Sequence, residues 1–309
     1  MRSRVKDSLS KGISPSKKNS ILSVILVNYN GKDFIGKCLD SIEKNLLGIQ
    51  SEVIVVDNHS TDGSVELLQN RHPNIRLLRN HENLGFSKSN NLGIKASNGF
   101  YILIINPDTY VYSDAIRILL TEIKENSDVG AVGPALLNDK NNYQLSFGGR
   151  IGFFSELAKK LFLNRLTKCK LRKNPQKRNV QWLSGACFIS RRDVLERVGM
   201  FDERFFLYFE DIDLCTRMRK SGWRLVYLPE AKVFHQGGAS TELKKLNSRF
   251  HYRKSQLYFY KKHSSILSLF LLKFFFSINF IFILFQGFFK RSHSLSDRLR
   301  FFKLLGKKG

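Results

Sequence analysis

The sequence predicts an open α/β sheet with helices packed against it, and three observations support that prediction. Short, continuous apolar runs alternate with segments whose apolar residues recur at helical spacing, a pattern typical of strands connected by helices. Hydrophobic residues make up 42% of the 309 residues, which is enough for a large core. Polar residues directly follow three of the apolar runs, and open α/β sheets bind ligands outside the carboxyl ends of their strands.

The elements start near residue 21, after a basic and polar segment, residues 1–19, which we expect to be disordered. The run "ILSVILVNYNG" is typical of a buried parallel strand that ends in a turn, and "KDFIGKCLDSIEKNLL" places its apolar residues on one helical face. The alternation continues with the strand "SEVIVVD", the helix "SVELLQNRH", the strand "NIRLLRN" and, after a loop, a helix within "LGFSKSNNLGIKAS".

The same alternation of predicted strands and helices continues in the second half of the chain. A fourth strand, "GFYILIINPDT", is stopped by its proline and is followed by the helix "DAIRILLTEIKEN" and the strand "DVGAVGPALL". A less regular region with the basic run Lys168–Arg178 precedes "VQWLSGACFISRRDVLERVGMF", which again reads as strand and helix. A helix is predicted from Glu210 to Arg219, and "WRLVYLPEAKVFHQGGAS" is an apolar strand that ends on His235.

The sequence pattern changes after residue 240, where strand patterns give way to basic and apolar helical segments. The segment "TELKKLNSRFHYRKSQLYFYKKH" predicts a basic helix, and Ile266–Phe289 is long enough to span a bilayer, although Lys273 and Gln286 interrupt it. Both flanks of this segment are similarly basic, so the positive-inside rule gives no orientation, which favours a re-entrant or in-plane segment over a single crossing. We therefore divide the chain into a disordered tail (1–19), an α/β domain (20–240) and a basic, apolar, helical membrane-associating extension (241–309).

The charge of the chain indicates a polyanionic partner. There are 51 Lys and Arg against 26 Asp and Glu, a net charge of +25, and the surplus lies mostly in the tails. Nucleic acid, anionic lipid and phosphate-bearing substrates all fit this charge. No nucleic-acid-binding motif is present, and the basic residues flank the most apolar segment, so we expect an anionic membrane surface and no nucleic acid. The four cysteines form no metal-binding pattern, and no signal peptide opens the chain, which favours the cytoplasmic side.

Polar residues at the predicted strand ends are the first candidate site. Asp57 is placed to accept hydrogen bonds from a base or a ribose, whereas Ser60 and Asp62 fit a helix N-cap. Asp108 would lie beside the phosphates of a nucleotide, where a carboxylate suits Mg²⁺ or Mn²⁺. Asn-Pro-Asp is also good turn chemistry. A neutral His235 could complete a metal shell, although a lone histidine is more often structural.

The stretch "FFLYFEDIDL" is the second candidate site. Glu210 and Asp211 fall in the first turn of a predicted helix, where the helix dipole favours negative charge. The dipole does not explain the aromatic residues before them. An apolar surround raises the pKa of a carboxyl group and can tune it as a general base. Asp213 is expected to be an ordinary helix residue.

These segments, in this order, resemble family 2 glycosyltransferases of the GT-A fold, a Rossmann-like open mixed sheet flanked by helices. The branch that they resemble most is the rhamnosyltransferase-like group of cell-surface polysaccharide synthesis. The resemblance covers about residues 21–240 and is carried by "SVILVNYNG", "VVDNHSTDGS", "NLGFSKSNNLGI", "LIINPDT", "WLSGACFISRRDVLERVGMFDERFFLYFEDIDLCTRMRKSGW" and "VFHQGGAS".

The resemblance implies a role for each matching position. Asp108 would be the metal ligand of the family's DxD motif, in which Asn106 here replaces the first acid and leaves one carboxylate fewer, and His235 would complete the metal shell. Asp211 would be the catalytic base and Glu210 its neighbour. The remaining roles are donor-nucleotide binding by Asn28, Tyr29, Asn30 and Asp57, with Asn106 and Asp108, and acceptor binding by Trp182, Gly185 and Ala186.

The resemblance also implies an activity. The expected reaction is a metal-dependent, inverting transfer from a nucleotide-sugar donor to a glycan or lipid-linked acceptor at the cytoplasmic face of the cell membrane. For the donor, dTDP-rhamnose comes first and UDP-sugars stay open. Two alternatives remain: a non-catalytic sugar-nucleotide-binding protein, which the intact acids disfavour, and a basic nucleic-acid-binding protein. A nucleotidyltransferase would need a Gly-rich basic loop after the first strand, which "VNYNGKDF" lacks.

Overall fold

The computed structural model describes residues 21–152, 175–237 and 245–289. The predicted disordered tail and the part of the basic run Lys168–Arg178 before residue 175 lie outside these residues. The strands are β1 Leu22–Asn28, β2 Ser51–Asp57, β3 Arg76–Arg79, β4 Tyr101–Ile105, β5 Thr109–Val111, β6 Val129–Leu137, β7 Phe147–Gly148, β8 Arg178–Asn179, β9 Trp182–Leu183, β10 Cys187–Arg191 and β11 Arg224–His235. The helices are α1 Lys32–Asn45, α2 Ser64–Arg71, α3 Gly85–Ala96, α4 Ala115–Glu125, α5 Arg192–Arg197, α6 Glu210–Lys220, α7 Lys245–His263 and α8 Ile266–Phe289.

The large sheet is open and mixed, as predicted. Its order is β3-β2-β1-β4-β10-β6-β11-β5, with β8 paired to β11, and β7 and β9 form a separate small ribbon. Strands β1 to β4 are parallel, whereas β10 runs antiparallel to both β4 and β6. Because β10 is antiparallel to both of its neighbours, β4 and β6 run in the same direction. Strand β6 and its parallel partner β11 therefore end at the same edge as β1, β2 and β4. We call this the carboxyl edge of the sheet.

Helices cover both faces of the sheet. On one face, α1 contributes Ile35, Leu39 and Ile42 to a core shared with α2 and α4. On the other face, α3, α5 and α6 pack over β4, β6 and β10. The central strands are buried on both sides, which explains why they read as continuous apolar runs rather than as alternating patterns.

The last two helices pack against the loop that precedes α6. Phe259 and Tyr260 of α7 and Leu272 and Phe276 of α8 are buried there, together with Phe205 and Phe209. Another part of α8 is exposed and apolar, and its exposed residues are Ile266, Leu267, Phe270, Phe274 and Ile278. Over the stretches that the structure covers, no helix combines the length and the apolar character needed to cross a membrane.

Candidate active site

The carboxyl ends of β1 and β2 are tied together by side chains. Asn28 lies opposite Asp57 in the register, and its amide donates to Oδ1 of Asp57 at 2.9 Å. The same amide also donates to the hydroxyl oxygens of Ser60 and Ser64. The backbone N–H of Ser60 donates to the other carboxylate oxygen of Asp57 at 3.0 Å. Asp57 is therefore held in one orientation at the carboxyl edge.

Asn28 is fully buried and contacts Asp57 directly. Its side-chain N–H group donates to three protein acceptors, whereas its Oδ1 has no hydrogen-bond partner among the described residues. These contacts let Asn28 orient Asp57, and its part in nucleotide binding stays a prediction. Tyr29 is half-buried and Asn30 is exposed, so these two remain accessible at the edge. Asn30 is fixed by its contacts with Ser60 and with the N–H of Thr61. Sequence reasoning could not separate the three residues, because adjacency does not reveal which side chain points inward.

Asp108 and His235 meet at the same edge, although 127 positions separate them in the sequence. The Nε2 atom of His235 lies 3.6 Å from Oδ1 of Asp108. The side chain of Gln144 donates to the carbonyl of His235 at 2.5 Å, which turns its own oxygen toward Nδ1 at 3.1 Å. An amide oxygen only accepts, so Nδ1 carries the proton and Nε2 presents a lone pair toward Asp108.

This pair fits a divalent cation. Burial lowers the pKa of His235, against the opposing effect of the nearby Asp108 carboxylate, and so favours the neutral imidazole that binds metals. The separation of Nε2 and Oδ1 is long for a hydrogen bond but suits two ligands of one ion. The partner that fixes Nδ1 is the kind of hydrogen bond that orients metal-binding histidines.

A different cluster could also hold a metal ion by composition. Among the described residues, Asp40, Glu43 and His72 bring their ligand atoms within 4.8 Å of one another. Asp40 and Glu43 lie late in α1, and His72 follows α2, so the cluster lies near the opposite edge of the sheet. Arg71 also pairs with Asp40 at 2.5 Å. This cluster is therefore separate from the carboxyl edge.

Hydrogen bonds connect the Asp108 turn to the second candidate site. The N–H of Asn106 donates to the carbonyl of Ala186 at 2.9 Å. One residue earlier, the N–H of Gly185 donates to Oδ2 of Asp211 at 2.9 Å. Trp182 is half-buried at the start of the same segment, in β9. The segment from Trp182 to Ala186 thus lies between the Asp108 turn and Asp211, where an acceptor site was expected.

Glu210 and Asp211 begin α6 and differ in their surroundings. Burial raises the pKa of both carboxyl groups, and the neighbouring Asp211 charge raises that of Glu210 further. Asp211 accepts backbone N–H bonds from Gly185 and Ile212, which stabilise its carboxylate, whereas Oε2 of Glu210 is buried without a partner in the described part of the chain. Asp211 is therefore the group that ionises first. It is also the less buried of the two, so it is the one that can meet a substrate.

The aromatic residues before Glu210 shape the loop more than they line the carboxylates. Tyr208 and Phe209 have φ angles of 69° and 68°, a left-handed conformation that L-residues rarely adopt. Gly85, with φ of 79°, lies under this loop, and a Cβ at Gly85 would come within 2.5 Å of the carbonyl oxygen of Phe206. The start of α6 is thus set by close packing on both sides.

Asp213 is the residue that sequence reasoning missed. It was expected to be an ordinary helix residue, yet it is fully buried and binds three cationic or imidazole groups. Arg217 donates to Oδ2 at 2.8 Å, and Lys262 and His263 both reach Oδ1 at 2.6 Å. The spacing from Asp213 to Arg217 was the only local signal, because Lys262 and His263 come from α7.

Comparison with known proteins decides the family. The family profile described as "Glycosyl transferase family 2" matches residues 23–199. The chain belongs to glycosyltransferase family 2. An N-acetylglucosaminyl-diphospho-decaprenol L-rhamnosyltransferase of Mycobacterium tuberculosis is 33% identical over 243 residues, which cover 72% of this chain and 78% of the relative. The rhamnosyltransferase WbbL of Escherichia coli is 27% identical over 69% of this chain and 82% of its own length.

A solved structure supports the fold independently. The mannosyltransferase PcManGT of Pyrobaculum calidifontis, in complex with GDP-Man and Mn²⁺, superposes with a TM-score of 0.53 at 20% identity. The match covers 78% of this chain and 63% of that enzyme, so this chain spans somewhat less than two thirds of it. This glycosyltransferase therefore has a GT-A-like fold and is rhamnosyltransferase-like within its family.

Proposed function

We propose that this glycosyltransferase is a metal-dependent, inverting enzyme of cell-surface polysaccharide synthesis. It transfers a sugar, with rhamnose as the first candidate, from a nucleotide diphosphate to a hydroxyl of a lipid-linked diphosphate acceptor. One observation carries the proposal: hydrogen bonds lead from the Asp108 turn through Asn106, Ala186 and Gly185 to Asp211. A metal-binding pair and a carboxylate base thus lie on two sides of one segment. Sugar and acceptor are suggested by the mycobacterial relative, whose name states both.

The donor nucleotide lies along the carboxyl edge in this proposal. Asp57, held by Asn28 and Ser60, accepts hydrogen bonds from the base or ribose, with Tyr29 and Asn30 beside it. Asp108 and His235 would hold Mg²⁺ or Mn²⁺ at this edge, and the ion would neutralise charge on the departing diphosphate. Because Asn106 stands where the family has an acid, Asp108 would be the carboxylate that this motif offers the ion.

Asp211 performs the proton transfer. Its carboxylate removes the proton of the acceptor hydroxyl while the oxygen forms a bond to the anomeric carbon, and the bond from that carbon to the diphosphate oxygen breaks. Attack from the face opposite the nucleotide inverts the anomeric centre. The raised pKa of Asp211, caused by burial, makes it a stronger base than an exposed aspartate. Burial and the Asp211 charge raise the pKa of Glu210, which disfavours a second negative charge beside the base.

The decisive test is the variant Asp211→Asn with a panel of sugar nucleotides, including dTDP-rhamnose and UDP-sugars, in Mg²⁺ or Mn²⁺. Nucleotide release in the presence of a lipid-linked acceptor should fall about 10²- to 10⁴-fold, the range for a lost general base. Donor affinity should stay close to that of the wild-type protein. Asp193→Asn, an exposed acid on α5, serves as the matched control. Near-normal turnover of Asp211→Asn would remove Asp211 as the base.

We also propose that the enzyme works at the cytoplasmic face of the membrane, with α8 lying in the plane of the lipid surface. The exposed apolar residues of α8 and the exposed basic residues Arg249, Lys254 and Lys261 of α7 support this placement. Protease treatment of sealed inverted vesicles tests it. A C-terminus that is cleaved agrees with in-plane binding, and a C-terminus protected inside the vesicle contradicts it.

A further inference from the structure

A cavity lies along α6, the helix that carries Asp211. It has a volume of about 190 Å³ and lies between the segment Gly149–Ile151, Trp182, one face of α6 and the end of α7. Ile212, which directly follows Asp211, lines one end, and Thr216, Arg219 and Lys220 continue the same wall along α6. The cavity therefore leads away from the base along the helix that carries it.

The lining of this cavity has two kinds of chemistry. Ile151, Trp182, Ile212 and Phe259 give it an apolar and aromatic part. Arg150, Arg219 and Lys220 add positive charge. None of the described residues that line the cavity is an acid. Several cationic side chains around a cavity without an acid favour an anionic ligand.

Buried groups hold one of these cations in place. His263 presents Nε2 to Oδ1 of Asp213 at 2.6 Å, and a carboxylate oxygen that already receives Lys262 only accepts. Nε2 of His263 therefore donates, and Nδ1 of the same ring lies 3.4 Å from Nζ of Lys220. The buried Asp213 thus fixes the ring that positions Lys220 at the cavity. The indole N–H of Trp182 is buried and has no hydrogen-bond partner within the described residues.

We propose that this cavity binds the diphosphate that joins the acceptor sugar to its lipid. The inference rests on the proposed function, because it places the acceptor hydroxyl at Asp211. Arg219 lies eight residues after Asp211, about 12 Å along the helix axis, and helical side chains lean toward the N-terminus. A sugar ring followed by a diphosphate spans such a distance. The ring stacks at the Trp182 end, and the phosphates reach Arg219 and Lys220.

The test compares two acceptors of the same sugar. One carries N-acetylglucosaminyl diphosphate on a short isoprenoid chain, and the other is an octyl glycoside of N-acetylglucosamine without phosphate. The measured quantity is the ratio of kcat/KM for the first acceptor to that for the second. In the double variant Arg219→Gln/Lys220→Gln this ratio should fall at least about tenfold, as expected for lost charge-assisted hydrogen bonds. Both residues are exposed, and Arg197→Gln/Lys124→Gln, on α5 and α4, is the matched control because it also removes two exposed positive charges outside the cavity.

A binding measurement keeps this inference separate from the proposed function. Calorimetry with a short isoprenyl diphosphate that carries no sugar should give about tenfold weaker binding to the double variant. This loss, in a protein that transfers sugar to neither acceptor, would support the cavity and refute the proposed function. Transfer by the wild-type protein with an unchanged ratio in the double variant would refute the cavity and leave the proposed function standing.

A lipid headgroup could offer the same phosphate chemistry, so a third measurement separates the two sources. Vesicles of phosphatidylglycerol and phosphatidylcholine, without acceptor, are sedimented with each protein. Vesicle binding of Arg219→Gln/Lys220→Gln equal to that of the control Arg197→Gln/Lys124→Gln, together with the reduced acceptor ratio, supports the acceptor diphosphate. Weaker vesicle binding with an unchanged acceptor ratio assigns these cations to the membrane surface and overturns the proposal.

Discussion

Replacing Asp213 by Asn is the sharpest test of how the C-terminal helices are held. The substitution keeps the shape of the side chain and removes its charge. Three partners lose a carboxylate at 2.6 to 2.8 Å: Arg217 on the same helix, and Lys262 and His263 on α7. Asp213 is fully buried, so water cannot replace it without a rearrangement.

The loss of unfolding free energy in Asp213→Asn depends on which other contacts each partner retains. Breaking a buried ion pair by removing one partner costs about 3–5 kcal/mol, because the remaining charge is left without compensation. Lys262 retains Asp202 at 2.7 Å, and Arg217 retains the carbonyls of Val198 and Met200. The lower end of the range therefore applies, about 3 kcal/mol. For a domain of this size that loss lowers Tm by about 6–12 °C.

Thermal unfolding followed by circular dichroism measures this loss. Asp193→Asn is the matched control, because Asp193 pairs with Arg197 at the same helical spacing but both side chains are more than half exposed. Such pairs contribute about 0.5 kcal/mol or less. Stability of Asp213→Asn within about 1 kcal/mol of the wild-type protein would refute the argument that this carboxylate holds α7 to α6.

The stability difference between the wild-type protein and Asp213→Asn should also depend on pH. Burial alone would raise the pKa of Asp213, but the His263 hydrogen bond and the charges of Arg217 and Lys262 outweigh it and lower the pKa. A carboxyl group with a lowered pKa in the folded state stabilises the protein above its ordinary pKa, and this contribution disappears as the pH falls through the lowered value. The difference between wild-type protein and variant should therefore be full at pH 7 and shrink toward strong acid.

Three further predictions concern the site. Gly85→Ala should lower the free energy of unfolding by more than about 2 kcal/mol and also lower kcat, because it adds a clash with Phe206 to the cost of a left-handed alanine. Gly199→Ala is the control, because Gly199 has a φ of 81° and open space around it, so that only the conformational cost remains. Equal losses of unfolding free energy in the two variants would contradict this. Glu210→Gln should raise Tm at neutral pH, and this gain in Tm should disappear toward acid. The reason is that burial and the Asp211 charge raise the pKa of Glu210, which makes its ionisation destabilising. A difference in Tm that does not depend on pH would argue against this. Asp108→Asn should weaken Mn²⁺ binding at least about tenfold, measured by calorimetry in the presence of a nucleoside diphosphate. Asp40→Asn, in the cluster at the other edge of the sheet, should leave Mn²⁺ binding unchanged. The reverse result would assign the metal to that other cluster.

The fold was largely predictable because its signals are local. Apolar runs that end in polar residues predicted β1, β2 and β4, and helical spacing predicted α1 and α4 to within a few residues. Periodicity says little about strand direction, so the antiparallel placement of β10 between β4 and β6 could only be expected from the family resemblance.

The site was predictable only in part. The sequence indicated Asp108, His235 and Asp211 as candidates, because they stand at the ends of predicted elements and match motif positions of the resembled family. It could not show that Asn28 is buried beneath Asp57, since that depends on side-chain direction. It also could not assign Asp213, because the spacing to Arg217 is its only local signal and its partner His263 lies 50 residues away in the sequence.

The position of the catalytic pair depends on residues outside the family match, which ends at residue 199. Tyr208 and Phe209, directly before Glu210, adopt a conformation that costs on the order of 1–3 kcal/mol per residue unless the surroundings hold it. The holding contacts come from α7: Ser248 binds the hydroxyl of Tyr208, Ser255 donates to the carbonyl of Leu207, and Tyr252 and Phe259 pack on Phe209. Contacts from α7 therefore hold the backbone directly before Glu210 and Asp211. If the proposed roles are right, α7 helps to set the geometry of the proposed base.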